Sequence, residues 1–163
     1  MKKLFLLLMA LISLYSFGQS SKQIQKIVNF AQLQTVLQQN DNKLYVVNFW
    51  ATWCKPCVKE LPHFMEINKT YRDNTHFKMI LVSLDMASEM DTRVKPFLLK
   101  NTIDTDVYLL DDNKRMNEWI PTIDKKWSGA IPATILYRNG QKLEFKEGEI
   151  SKEELVKMIN NYL

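Results

Sequence analysis

The sequence predicts an α/β protein, a three-layer α/β/α sandwich around a mixed central sheet, and three observations lead there. Two nearly continuous apolar runs, Leu44–Trp50 and 77–85, read as strands covered on both faces. The helical pattern over 54–72 between them makes a βαβ order. Asn139-Gly140, set between 134–138 and 142–146, supplies the positive φ values of a type I′ turn, so the last two strands pair antiparallel. Ser151 and Glu154 form a capping box that opens a terminal amphipathic helix carrying Leu155, Met158, Ile159 and Tyr162.

At the start, Lys2-Lys3 precedes an apolar run from Leu4 to Leu14 and then Ser16-Phe17-Gly18, the order of a secretory signal peptide over 1–18, cleaved near Gly18-Gln19. An uncleaved anchor is the competing reading, but the run is well short of the roughly 20 residues a spanning helix needs. Residues 19–163 then make one domain, with no repeat, low-complexity tract or linker. Removal of Lys2 and Lys3 leaves 20 basic against 18 acidic residues, interleaved rather than in blocks, which gives no case for nucleic acid.

Along the domain, Ile24–Val28 reads as a short edge strand. Asn29 caps a helix with Phe30, Leu33, Val36 and Leu37 on one face, and Asp41-Asn42 turns into the central strand. The helix over 54–72 uses Val58, Leu61, Met65 and Tyr71, with Pro62 as a kink site. A helix over 87–100 would bury Val94, Phe97 and Leu98. Asp106–Leu110 is a further strand, and Met116, Trp119 and Ile120 lie on one or two helical turns ending before Pro121.

Cys54 and Cys57 are the only cysteines, two residues apart at a strand-to-helix junction. A Cys54 placed at the helix start faces unsatisfied backbone N–H groups and the positive end of the helix dipole, which favour its thiolate. The expectation is an exposed, nucleophilic Cys54 and a shielded Cys57, one turn on, that attacks the mixed disulfide. Lys55 adds positive charge beside Cys54, and Pro56 stiffens the loop without offering a donor. Two other readings stay open. A zinc site needs about four ligands, and His63 and His76 do not complete a common spacing, so no metal and no cofactor is expected. A purely structural disulfide over so short a loop returns only about 2 kcal/mol in the chain-entropy formula. The Cys-x-x-Cys pair beside a βαβ pattern favours redox chemistry.

Asn48-Phe49-Trp50-Ala51-Thr52-Trp53-Cys54-Lys55-Pro56-Cys57 with Glu60-Leu61-Pro62, and then Gly129-Ala130-Ile131-Pro132-Ala133-Thr134, resemble the TlpA/ResA-like branch of the thioredoxin superfamily over about 24–163. The resemblance implies a thioredoxin-like sandwich with a strand and helix inserted between Asp85 and Ile131. It also implies that Cys54 attacks, Cys57 resolves and the Ile131-Pro132 bond is cis, leaving backbone free to pair with an extended substrate. The alternative for Pro132 is an ordinary trans proline at a strand start. Glu60 matches a family glutamate held to handle protons, although an acid early in a helix also suits the dipole without any chemistry. Asn48 stands where thioredoxins carry a buried aspartate; it cannot accept that proton, which leaves Glu60 or water to do so. Trp53 is expected to shield the disulfide and touch substrate together with Lys55, Pro56, Ile131 and Pro132, while Trp50 belongs to the core.

Oxidants and isomerases of the superfamily often carry histidine before the second cysteine, where it stabilises the reduced form; Pro56 does not. The resemblance therefore implies an extracytoplasmic protein-disulfide reductase, periplasmic, or anchored if the leading segment is retained. Its partners would be disulfide-containing proteins and a membrane thiol-electron donor. Cytochrome c maturation is one family role, and nothing in the sequence selects it. Alternatives are an oxidising or isomerising member, a thiol peroxidase, disfavoured because Cys54 lacks a Thr-x-x-Cys setting, and a non-catalytic binding module.

Overall fold

A computed structural model describes residues 24–163; the expected signal peptide lies outside the described residues. The elements are β1 (Ile24–Val28), α1 (Phe30–Leu37), β2 (Leu44–Trp50), α2 (Lys55–Tyr71), β3 (Phe77–Ser83), α3 (Lys95–Lys100), β4 (Asp106–Leu110), α4 (Met116–Ile123), β5 (Ala133–Arg138), β6 (Gln141–Glu147) and α5 (Lys152–Asn160). They form one six-stranded sheet in the order β1-β4-β3-β2-β5-β6. β1, β4, β3 and β2 run parallel, while β5 pairs antiparallel with both β2 and β6, so the sheet is mixed as the hairpin predicted. Asn139 and Gly140 both take positive φ, 49° and 72°, as a type I′ turn demands.

β2 is buried at every position because helices cover both of its faces. Tyr45, Val47 and Phe49 point into a core closed by Leu33 and Leu37 of α1 and by Trp119, Ile120 and Ile123 of α4. Leu44 and Val46 point the other way, onto Phe64 and Ile67 of α2 and onto Leu155, Met158 and Ile159 of α5. These are the three layers. α1 and α5 each begin with a full capping box, at Asn29 with Gln32 and at Ser151 with Glu154.

The predicted helix over 87–100 is not continuous. It breaks into a 3₁₀ turn at Ala87–Glu89, a π turn at Met90–Val94 and the short α3. Pro96 is the cause: it has no N–H to give Thr92 and its ring crowds the carbonyl four residues back. The preceding turn therefore opens until the N–H of Lys95 reaches the Met90 carbonyl. Pro121 has the opposite outcome, because α4 runs through it to Ile123 instead of stopping before it. An internal proline costs about 3 kcal/mol, and α4 offsets this by burying Trp119, Ile120 and Ile123, each worth roughly 1.5–3 kcal/mol. α2 likewise carries Pro62 inside its length.

Candidate active site

β2 ends at Trp50, and the chain turns at once into α2. The turn is closed by the N–H of Cys54 donating to the Ala51 carbonyl at 3.1 Å. Cys54 is the N-cap of α2, in extended conformation, and its Sγ accepts from the N–H of Cys57 at 3.3 Å. The two cysteines form a disulfide with Cα atoms 5.3 Å apart. On the other side, Cys54 Sγ lies 3.7 Å from the Ile131 carbonyl oxygen. A disulfide sulfur has no proton to donate, so this is a contact here and a donor–acceptor pair only for the thiol. The Ile131-Pro132 bond is cis.

Cys57 is fully buried, while Cys54 is 6% exposed. The expected exposure of Cys54 is not found: it is buried, with only slightly more surface left than Cys57. The cover has two sources: its place in an apolar cluster with Trp50, Ala51, Leu61, Leu81 and Val94, and the cis-proline segment arriving from 77 residues further along the chain. Trp53, by contrast, is 58% exposed, Lys55 is exposed, Pro56 and Ile131 are half-buried and Pro132 is buried. Trp50 is wholly in the core, stacked at a tilt on Phe97.

Glu60 lies one turn after Cys57 and is 2% exposed. Asn48 Nδ2 donates to its Oε1 at 2.8 Å and the N–H of Ile150 donates to its Oε2 at 3.0 Å. Burial from water outweighs these donors, and the nearby charge of Glu149 adds to it, so the Glu60 carboxyl is pushed up to about 7. The same Asn48 amide nitrogen also reaches Thr134 Oγ1 at 3.1 Å, whereas Asn48 Oδ1 is buried without a partner. Among the described residues no group of three or more His, Cys, Asp or Glu side chains is placed to hold a metal ion.

Asp85, Trp127 and the N–H of Ile150 are among the contributors that sequence reasoning did not single out. Asp85, fully buried two residues beyond β3, accepts from Thr52 N at 3.0 Å, from Thr52 Oγ1 at 2.6 Å and from Ser83 Oγ at 2.7 Å. An aspartate closing an apolar strand run was the available signal. Trp127 donates from Nε1 to the Ala130 carbonyl at 2.8 Å and packs on Phe49, bracing the cis-proline segment. The N–H of Ile150 has no signal in sequence, because every non-proline residue carries one.

The AhpC/TSA family profile matches residues 22–146. Thioredoxin-like protein YneN of Bacillus subtilis is 35% identical over 120 residues, covering 73% of this chain and 65% of the relative. Thiol-disulfide oxidoreductase ResA of Bacillus thuringiensis is 32% identical over 110 residues, covering 67% and 57%. The chain thus spans less than two thirds of either relative. Among solved structures, a thioredoxin-family thiol:disulfide interchange protein from Chlorobium tepidum superposes with a TM-score of 0.61 at 23% identity, covering 75% of this chain and 81% of that one. StoA from Bacillus subtilis gives 0.57 at 26% identity, covering 74% and 84%. The fold is thioredoxin-like.

Proposed function

Because this chain belongs to the AhpC/TSA family and carries a disulfide at the N-cap of α2, we propose that it is an extracytoplasmic thiol–disulfide oxidoreductase that reduces protein disulfides. The observation that carries this reading is Cys54 Sγ at 3.3 Å from the N–H of Cys57, at the positive end of a 17-residue helix. In the reduced protein the Cys54 thiolate attacks one sulfur of a substrate disulfide, forms a mixed disulfide and expels a substrate thiolate. Cys57 loses its proton and attacks Cys54 Sγ, which releases the second substrate thiolate and closes the Cys54–Cys57 bond. Two electrons pass to the substrate, and a thiol donor must return them. Glu60, buried one turn from Cys57, is the group assigned to take the Cys57 proton. Trp53, Lys55, Pro56, Ile131 and Pro132 are assigned to substrate contact.

The names of the relatives support dithiol exchange, and the leading apolar segment supports export with a membrane thiol donor. Cytochrome c maturation is the narrower role consistent with that setting. Pro56 ahead of Cys57 supports the reducing direction. Insulin reduction by the wild type, lost in Cys54→Ser, tests catalysis against a binding module, and peroxide consumption tests the peroxidase reading. The Cys54–Cys57 potential against glutathione tests direction, since a value as oxidising as about −150 mV rejects a reductase. Cys57→Ser should hold the true substrate as a mixed disulfide.

A further inference from the structure

Asp85 is a fully buried carboxylate whose hydrogen-bond partners are all neutral donors. Such a group is a poor device for cohesion alone, since burying it away from water carries a desolvation cost that apolar packing would not incur. Its bonds are aimed at one place. Thr52, the second residue of the Ala51–Cys54 turn, is held through its main-chain N–H at 3.0 Å and its hydroxyl at 2.6 Å, both to the same carboxylate. Ser83 braces the carboxylate from behind: its Oγ donates to Asp85 Oδ2 at 2.7 Å and accepts from the N–H of Asp85 at 3.1 Å. The N–H of Leu84 donates to the Trp50 carbonyl at 2.8 Å, so the end of β3 is locked to the end of β2 beside the turn.

We infer that Asp85 is a positioning residue for Cys54, acting through Thr52 to hold the Ala51–Cys54 turn so that Cys54 Sγ stays in front of the N–H of Cys57. The inference rests on the dithiol-exchange reading and deepens it. Cys54 itself has little freedom to correct a loose turn, because its N–H, its carbonyl and its Sγ are each engaged, with Ala51, Val58 and Cys57 respectively. A turn that drifts therefore weakens the donor that stabilises the thiolate.

The test uses the reduced protein. Thr52→Val removes the hydroxyl while keeping the shape, Thr52→Ala does so with a smaller side chain if valine folds badly, and Thr52→Ser restores the hydroxyl. The readouts are the pH dependence of Cys54 alkylation and the equilibrium with glutathione. Thr52→Val should slow alkylation below the Cys54 midpoint about five-fold, the loss expected for one hydrogen bond, and move the glutathione equilibrium toward the disulfide in the same proportion. Thr52→Ser should return both to within about two-fold of wild type. In an Asp85→Ala background, which leaves the Thr52 hydroxyl without that acceptor, the valine substitution should add less than about two-fold, because the two residues act through one contact. A lower melting temperature with unchanged Cys54 reactivity, equal behaviour of the valine and serine variants, or a full shift in the Asp85→Ala background would each overturn the inference. Neither readout needs a substrate protein, so an inactive wild type would reject the reductase reading and leave this test standing.

Discussion

Asn48 Nδ2 donates to Glu60 Oε1 at 2.8 Å, and both side chains are buried between β2 and α2. The pair ties the fully covered central strand to the turn of α2 that follows Cys57. It also bears on how the protein responds to acidity, because burial outweighs the donors aimed at the Glu60 carboxyl.

Glu60 titrates at about 7 in the folded protein against an ordinary 4.5. A raised folded value means that the native state holds the proton more tightly than the unfolded chain. The resulting stability is full below about 4.5 and is lost as pH rises through 7, by about 3 kcal/mol in all. Glu60→Gln should remove this slope. The new amide can accept from the N–H of Ile150 and donate to Asn48 Oδ1, which has no partner, once the Asn48 amide rotates. Urea unfolding at pH 5 and pH 8 should show a decline for the wild type and almost none for the variant; equal slopes would reject the assignment.

Asn48→Asp sets a second carboxyl against Glu60. Two acids in one buried site cannot both ionise, so they share a proton and the pair titrates with one value strongly raised. Melting temperature should fall far more at pH 8 than at pH 5. A uniform fall at both would mean that the pair is not coupled.

Much of this arrangement was legible in sequence, for reasons that differ by residue. Leu44–Trp50 declared itself as a central strand through an apolar run that only two covering layers explain, and Asn139-Gly140 declared the hairpin through backbone chemistry. The breaks in 87–100 were hidden because Pro96 is tolerated at the start of α3 and disrupts only the turn before it. Thr134 was hidden by its place in an apolar strand, where its hydroxyl meets Asn48 across the sheet. The cover over Cys54 could be read only in part from its neighbours, since Ile131 supplies a share of it from a distant segment.

Gly129 takes φ +92°, and a Cβ there would sit 3.1 Å from Ile120 Cδ1. Gly129→Ala therefore strains the backbone and crowds α4 together. The expected loss is about 1–2 kcal/mol in chemical denaturation. Cys54 alkylation should also change, because the segment from Trp127 to Ile131 delivers the carbonyl lying against its sulfur. Unchanged stability would show that Ile120 yields without cost.

Trp53, proposed to contact substrate, lets folding be tested apart from recognition. It is 58% exposed beside a nearly buried cysteine, so its indole contributes little to the core and offers a large apolar face to a docking chain. Trp53→Ala should change stability by no more than about 0.5 kcal/mol. In the proposed docking, a protein disulfide lays its backbone against the cis-proline segment to reach Cys54, and the indole is the apolar surface assigned to meet it there. A small disulfide needs no such purchase. Loss of one exposed aromatic contact of about 1–2 kcal/mol should raise KM for a protein substrate about five- to thirty-fold. Turnover of a small aromatic disulfide should stay within about two-fold. Equal loss on both substrates would place Trp53 in the chemistry at sulfur, and no loss on either would remove it from the docking surface.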